Sequence, residues 1–469
     1  MTKMNIETKN IFKFLKKVLN KQKVHISDII FHSDDACNSK VLILTRCSSK
    51  NIEKYIDLAN IKGIKGIIID KKISKSFISR NIPVLISPYL NKNLNIFLSE
   101  LYNYPLKGKK IVGITGTDGK TSMIHMLAQA YKLLGKKVGI ISTEGNGIYP
   151  NFKKSIYTTP RNDLLYKCFH QFNNKSVDII IIESSSQGLD QGRLDHINFD
   201  ISMITNITRD HLDYHKTHLS YIKSKCILLN QTQKVIFLNK DCKNNKKVQE
   251  ITSTKAKYKF FDKEYKISGH KSKLLNNTSA KYNFSLLYSV LKYIRITDED
   301  IIKIFEKIKP IPGRNNIFKQ KNSAMFIVDY AHTNSAFTSL LDDISKMYKK
   351  PSNYLTVVFG CGGDRDIHKR LEMGKTADKY CDYIILTDDN PRNEKSMKII
   401  SDISKGISEK HKIINLPNRK LAIKKSIKIS SKNDIVIIAG KGNEDTINYN
   451  SSIVKHNDIK YLEYLFNEN

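Results

Sequence analysis

The 469 residues carry 79 Lys and Arg against 45 Asp and Glu, a formal net charge of +34, with 40% apolar residues. That apolar share excludes a disordered chain, and no uninterrupted apolar run approaches the roughly 18 residues a membrane-spanning helix needs, so membrane insertion is not expected. The basic surplus would suit a nucleic acid, but it is spread along the whole chain and only 11 of the 79 are arginine, so no nucleic-acid partner is expected.

Scarce arginines are informative, because lysine serves wherever only a positive charge is needed. The seven cysteines, Cys37, Cys47, Cys168, Cys226, Cys242, Cys361 and Cys381, are never closer than ten residues. They fit neither a disulfide framework nor paired zinc ligands, and a reducing cytoplasm is the simplest reading.

In chain order, Ile11, Phe12, Leu15, Val18 and Leu19 form a helical stripe expected to pack on its own domain. After a weakly patterned segment, YNYPLKGKK at 102–110 reads as a domain boundary. The strand KKIVGIT follows, then TGTDGKTS at 115–122 and a helix with Met123, Leu127, Ala130, Tyr131 and Leu134 on one face and Gly135 as terminator. A strand–loop–helix of this composition is a phosphate site: Gly116 and Gly119 let backbone N–H groups surround an anion at the helix N-terminus, Lys120 adds a charge, and Thr121 offers a hydroxyl to Mg²⁺. The spacing differs from the common G-x4-GK[ST] loop, since Gly113 stands six residues before Gly119.

Short apolar runs then alternate with helical patterns: KVGIIST, VDIIIIES, DISMITN and KVIFLN, and beyond a second boundary, KIKPIPGRNN at 307–316, AMFIVDYAH, YLTVVFG, DYIILTD and DIVIIAG. Such alternation predicts an α/β chain with mostly parallel sheets covered on both faces and ligands at the carboxyl ends of the strands. Three domains are expected: residues 1–106, a central 107–313 built on the phosphate-loop sheet, and a Rossmann-like 314–469. In LTDDNPRNE at 386–394, the Asn390-Pro391 turn holds Arg392 in a set direction, and an aimed guanidinium suits a carboxylate or phosphate.

TGTDGKTS resembles the loop of the Mur ligases and folylpolyglutamate synthetases, which join an amine to a carboxylate using ATP. YTTPR, ESSSQGLDQGR, NITRDHLDYH, YIKSK, YN, PGR, VDYAHT, FGCGGDRD, DNPR and AGKGNED follow in that family's order from about residue 106 to 450. The resemblance implies that Gly116, Thr117, Asp118, Gly119, Lys120, Thr121 and Ser122 contact ATP phosphates, and that Asn283, Arg314 and Asp329 hold the rest of the nucleotide, with His332 beside them. It makes Lys120, Glu183, His211 and Lys225 the catalytic set. Thr121, Glu183, His211 and a CO₂-derived carbamate on Lys225 would hold two Mg²⁺ ions. Thr158, Thr159, Ser185, Gln191 and Arg193 would contact a UDP-N-acetylmuramoyl dipeptide, with Ser33 at its uridine.

Within that family DNPR resembles the signature of members that add meso-diaminopimelate. Diaminopimelate carries an ammonium and a carboxylate at its far end, where lysine carries only an ammonium. Arg392 and Arg365 would take the carboxylate, Glu444 and the Gly440 backbone the ammonium, and Asp389, Asn390 and Pro391 the wall. The implied enzyme is a cytoplasmic, monomeric ligase of peptidoglycan precursor synthesis that activates the D-glutamyl carboxylate as an acyl phosphate and closes by a hinge of its third domain. Lysine addition or folate polyglutamylation are the alternatives within the family, and a basic nucleic-acid-binding ATPase the alternative outside it. Tyr157, Gln187, Asn315 and Asn443 depart from the family pattern at positions that bear on substrate affinity.

Overall fold

A computed structural model of the chain describes residues 6–31, 40–45, 51–52, 54–57, 63–71, 82–155, 157–262 and 278–467. Two units are distinguished by packing: Met1–Val112 with Lys136–Asp200, and Gly113–Gly135 with Ile201–Asn469.

In the first unit the strands Ile29–Ile30, Val41–Leu44, Gly66–Ile69 and Val84–Ile86 lie in that order and run parallel. VLIL and GIII are buried at every position, as expected of strands covered on both faces. The helix Ile6–Leu19 buries Ile11 and Leu15 and sets Phe12 against Phe97 of the helix Tyr89–Leu101, ring centroids 5.5 Å apart. A Cβ on Gly66 would lie 2.8 Å from Val18 Cγ1, so the glycine lets this helix close on the sheet. The rest of the unit pairs Ile179–Glu183 in parallel with Val138–Ser142, which continues into the antiparallel strands Gly145–Ile148 and Asn151–Lys153.

In the second unit, Thr232–Asn239 pairs in parallel with Lys257–Phe261, and the sheet order continues through residues 201–204 to residues 113–115. A separate six-stranded sheet has the order Asn316–Lys319, Met325–Asp329, Ile435–Ala439, Leu355–Phe359, Tyr383–Leu386, Ile413–Asn415, with only the first strand antiparallel. Its strands feed both faces. Ile327, Val357 and Ile437 join a core with Phe337 and Leu341, while Phe326, Val358 and Ile438 join one with Ala422 and Leu462.

Because the five parallel strands point the same way, the segments after Asp329, Phe359, Leu386 and Ala439 emerge at one edge. These segments are YAHT, GCGGDRD, TDDNPR and GKGNED.

The helix Lys120–Leu133 departs from expectation in one respect. Met123 through Tyr131 are all buried, so the helix is enclosed on every side rather than along a single stripe. It ends where foreseen, at Gly135, whose φ of 75° lies in the left-handed region that glycine tolerates.

Candidate active site

The phosphate loop is braced by the end of the neighbouring strand. Thr117 N–H donates to Asn206 O at 3.0 Å and Asp118 N–H to Asn206 Oδ1 at 2.9 Å, while Thr205 Oγ1 donates to Asp118 O at 2.6 Å. Glycine is required at position 116, where a Cβ would lie 1.9 Å from Thr205 Oγ1. Gly119, at φ 80° and beside Asn283 Oδ1, leads into the first turn of the helix, whose N-terminal end favours an anion. Lys120 Nζ is folded back onto the Gly116 and Thr117 carbonyls at 3.0 and 2.8 Å. These are neutral acceptors that a phosphate oxygen outcompetes. Thr121 is buried and Ser122 partly so.

Lys225 is buried beneath this loop. Its Nζ donates to Gly116 O at 2.8 Å and stands 4.2 Å from the centroid of the Tyr221 ring. Burial, and then the charge of Lys120, push its pKa well below that of a free lysine. His211, in a left-handed conformation (φ 54°), places Nε2 3.3 Å from Asp210 Oδ2. Burial brings its pKa down to about 4 although Asp210 opposes the shift, so the imidazole is neutral at pH 7 and able to ligate a metal.

Among the described residues, no three His, Cys, Asp or Glu side chains gather as a ready metal cage. Mg²⁺ keeps waters and phosphate oxygens among its ligands and so needs few donors from the protein. Glycines that let the backbone close on an anion, a lysine held only by carbonyls and a neutral imidazole therefore fit Mg²⁺–ATP.

Beside Gly119 a cavity of about 660 Å³ is lined by Asp118, Asn206, Tyr282, Asn283 and Ser335 among others. Arg314 and Asp329 are not among its lining residues. The Arg314 guanidinium instead lies 4.1 Å from the Tyr330 ring centroid. Both Asp329 oxygens accept backbone N–H groups, from Asn315 and Ala331, at 2.7 Å each. His332 Nδ1 is 2.9 Å from Tyr330 O.

In the first unit, Glu183 is buried, and its Oε2 accepts Thr143 N–H at 2.8 Å. Thr143 Oγ1 donates to Thr158 Oγ1 at 3.0 Å, and Thr159 Oγ1 donates to Glu183 O at 2.6 Å while receiving Ser185 N–H at 2.9 Å. Arg193 donates to Thr159 O and to Gln191 Oε1 and covers the Tyr157 ring. The residues expected around the muramoyl dipeptide thus form one network with Glu183. Ser33 lies outside the described residues.

At the edge of the six-stranded sheet, Arg392 adopts φ 52° and donates from Nη1 to Gly363 O at 2.8 Å. Burial, and then the nearby Arg365, lower its pKa from the usual arginine value. A Cβ on Gly362 would lie 2.8 Å from Arg392 Nη1 and 3.4 Å from Arg365 Cγ, so the two arginines flank the same glycine. Arg365 itself is held by Asp213 at 3.1 Å. Asn390 Nδ2 donates to Asp389 Oδ1 at 3.0 Å and to Glu444 Oε2 at 3.2 Å, and Tyr330 OH donates to Glu444 Oε1 at 3.1 Å. Pro391 is buried, and Gly440, at φ 108°, has Asp389 Oδ2 3.5 Å from where its Cβ would stand.

Sequence reasoning missed the buried cations behind this wall. Arg419 clamps Asp458 through two bonds, at 2.8 and 2.7 Å, and also donates to Asp388 O and Ala439 O, tying together the ends of two strands that carry the site. Lys441 lies among Asp389, Asn390 and Glu444. The scarcity of arginine was the available signal for Arg419; nothing separates Lys441 from the other lysines.

Among the departures, Asn315 (φ 51°) is held by Asp329, and Asn443 accepts from Asn457 Nδ2 through both its backbone and side-chain oxygens at 3.2 Å. Gln187 Oε1 accepts from Ser186 Oγ at 3.3 Å.

Residues 114–318 match the Mur ligase middle domain and 313–442 the Mur ligase, glutamate ligase domain. A protein of Buchnera aphidicola subsp. Schizaphis graminum, named UDP-N-acetylmuramoyl-L-alanyl-D-glutamate--2,6-diaminopimelate ligase, is 32% identical over 95% of both chains. A protein of the same name from Wigglesworthia glossinidia brevipalpis is 33% identical over 95% of this chain and 94% of its own. A solved structure of a ligase so named superposes with a TM-score of 0.61 at 24% identity over 96% of both chains, a likeness of fold. The chain belongs to the Mur ligase family.

Proposed function

We propose that this chain is the ATP-dependent ligase that adds meso-diaminopimelate to the D-glutamyl side-chain carboxylate of UDP-N-acetylmuramoyl-L-alanyl-D-glutamate, a cytoplasmic step of peptidoglycan precursor synthesis. The observation that carries the reading is the set of charged side chains at the sheet edge. Arg392 and Arg365 flank one glycine, a Cβ on Gly362 lying 2.8 Å from Arg392 Nη1 and 3.4 Å from Arg365 Cγ, and Asn390 bonds to Glu444. A ligand end that bears both a carboxylate and an ammonium suits this combination of charges; a bare ammonium leaves the guanidiniums unmatched. Relatives that carry the same activity in their name, aligned over nearly the whole chain, support it.

The residues divide the work. The γ-phosphoryl of ATP passes to the carboxylate, giving an acyl phosphate; the amine attacks, and phosphate leaves as the amide forms. Lys120 and the N–H groups of the following helical turn position the phosphates, a reaction in which placement and charge neutralisation dominate. Thr121, Glu183, neutral His211 and the carbamate of Lys225 are assigned as the residues that would hold Mg²⁺, which would supply countercharge for the phosphate oxygens. Asp118, Gly119 and Asn283 line the cavity that would receive the nucleoside; Arg314 and Asp329, which do not line it, are assigned to the nucleotide on the family resemblance.

Lys225 is assigned as the carbamate. An uncharged amine adds to CO₂ through a new N–C bond and gives a proton to solvent, and burial favours the uncharged amine. The carbamate anion then replaces the like charge facing Lys120. Thr158, Thr159, Ser185, Gln191 and Arg193 are assigned to the muramoyl dipeptide. Residues 1–106, 107–313 and 314–469 are assigned as muramoyl-, ATP- and amino-acid-binding domains, and the enzyme as a monomer.

Mass spectrometry of the product after incubation with ATP, Mg²⁺, the UDP-muramoyl dipeptide and diaminopimelate tests the reading. An unchanged dipeptide overturns it.

A further inference from the structure

The turn after the strand Ile435–Ala439 aims its lysine inward. Gly440 and Gly442 have φ values of 108° and 52°, and between them the Lys441 side chain is 0% exposed. Its Nζ lies 2.7 Å from Glu444 Oε2, 3.3 Å from Asn390 Oδ1 and 3.5 Å from Asp389 Oδ1. One buried ammonium thus joins two sequence motifs, DNPR and GKGNED. Of the charged groups it touches, Asp389 is 10% exposed and Glu444 34% exposed, so Glu444 is the carboxylate a ligand reaches.

A buried cation between two carboxylates has a bland reading, simple charge compensation. The geometry goes further. Asn390 donates to both Asp389 and Glu444 while its oxygen receives Lys441 and the Asn448 N–H at 3.0 Å, so the orientation of its amide is locked. Glu444 Oε2 is shared by Lys441 and Asn390, and Tyr330 holds Oε1, which leaves the carboxylate a single rotamer. With Lys441 counted, the wall formed by Asp389 and Glu444 carries one net negative charge. Burial alone would raise the Asp389 pKa, but Lys441 and then Arg419 bring it below the usual value, so Asp389 keeps its charge.

We propose that Lys441 is a positioning residue for the amine substrate: it fixes Glu444 and Asn390 and trims the wall to the single negative charge that one distal ammonium balances. The substrate half of this inference rests on the diaminopimelate reading; the positioning half does not.

The test compares wild type, Lys441→Met and Lys441→Arg in phosphate release with ATP, Mg²⁺ and the UDP-muramoyl dipeptide, together with a crystal structure of the methionine variant. The expected result is a KM for diaminopimelate raised about tenfold or more, with the KM for ATP within about twofold of wild type. Lys441→Arg, which keeps the charge but moves it, should fall between the two and carries the kinetic test if the methionine variant does not fold. Lys441→Met/Asp389→Asn, which removes the cation together with the more buried of its two carboxylates and leaves Glu444 in place, should restore the diaminopimelate KM toward wild type.

A diaminopimelate KM unchanged in both single variants, or a KM for ATP that rises in step with it, overturns the proposal. In the crystal structure, Glu444 and Asn390 should leave their present positions; side chains that stay put overturn the positioning half. Wild-type protein that releases no phosphate with diaminopimelate sinks the functional reading instead, and the crystal structure still decides the positioning role of Lys441.

Discussion

The hydroxyl of Thr333 lies 3.0 and 3.1 Å from the two carboxylate oxygens of Asp118, joining the segment after the strand Met325–Asp329 to the middle of the phosphate loop. The same hydroxyl accepts Ala336 N–H at 3.1 Å as the cap of the helix Asn334–Tyr348. Thr333→Val should therefore cost about 1–2 kcal/mol in urea unfolding through the lost cap, and also raise the KM for ATP. Thr333→Ser should restore both. A valine variant with the unfolding loss but an unchanged KM for ATP would reduce Thr333 to a cap.

Two ion pairs join residues 209–213 and 365–366 in reciprocal fashion. Arg209 meets Asp366 at 3.3 Å, and Arg365 meets Asp213 at 3.1 Å. Both are partly exposed, so each should contribute less than about 1 kcal/mol to stability. Asp213 holds a guanidinium assigned to the substrate. Asp213→Asn should therefore lower the KM for diaminopimelate by up to about fivefold while leaving the unfolding midpoint nearly unchanged. A raised KM would show that Asp213 orients Arg365 rather than competing for it.

Arg419 and Asp458 are both fully buried, so breaking their pair leaves an uncompensated charge. Arg419→Met should destabilise the fold by about 3–5 kcal/mol. The pair also sets a pH dependence. Burial opposes ionisation of Asp458, but Arg419 outweighs it and holds the folded-state pKa well below the usual carboxylate range. A depressed carboxylate contributes stability that is complete above about pH 5 and is lost as pH falls below about 4 toward the folded-state value. The stability gap between wild type and Asp458→Asn, measured by urea unfolding, should be constant above about pH 5 and shrink below about pH 4. A gap independent of pH would contradict the assignment.

The carbamate on Lys225 has a direct spectroscopic readout. Protein equilibrated with ¹³C-labelled CO₂ should show a carbamate carbon resonance in NMR that Lys225→Ala removes and that acidification abolishes. Retention of the resonance in the alanine variant would place the carbamate elsewhere.

Much of this site is legible in the sequence because its chemistry is local. TGTDGKTS declares a phosphate loop by its own glycines, lysine and hydroxyl, and the loops at one sheet edge follow from strands such as YLTVVFG and DYIILTD. Contacts that join distant segments are not legible. Arg419 and Asp458 are 39 residues apart, and the phosphate loop meets Thr333 from 215 residues away. Nor could the pattern reveal the first parallel sheet, whose strands of two to four residues are too short to show a period. Enclosure of the helix Lys120–Leu133 depends on what covers its second face, which no window around it contains.

Competition between amines tests the assignment of diaminopimelate most directly. With ATP, Mg²⁺ and the UDP-muramoyl dipeptide, kcat/KM for meso-diaminopimelate should exceed that for L-lysine by about a hundredfold or more, because lysine leaves the guanidiniums unmatched. Arg392→Ala should erase most of that preference by weakening diaminopimelate alone. Equal kcat/KM for the two amines in the wild-type protein, or a preference untouched by Arg392→Ala, would contradict the account.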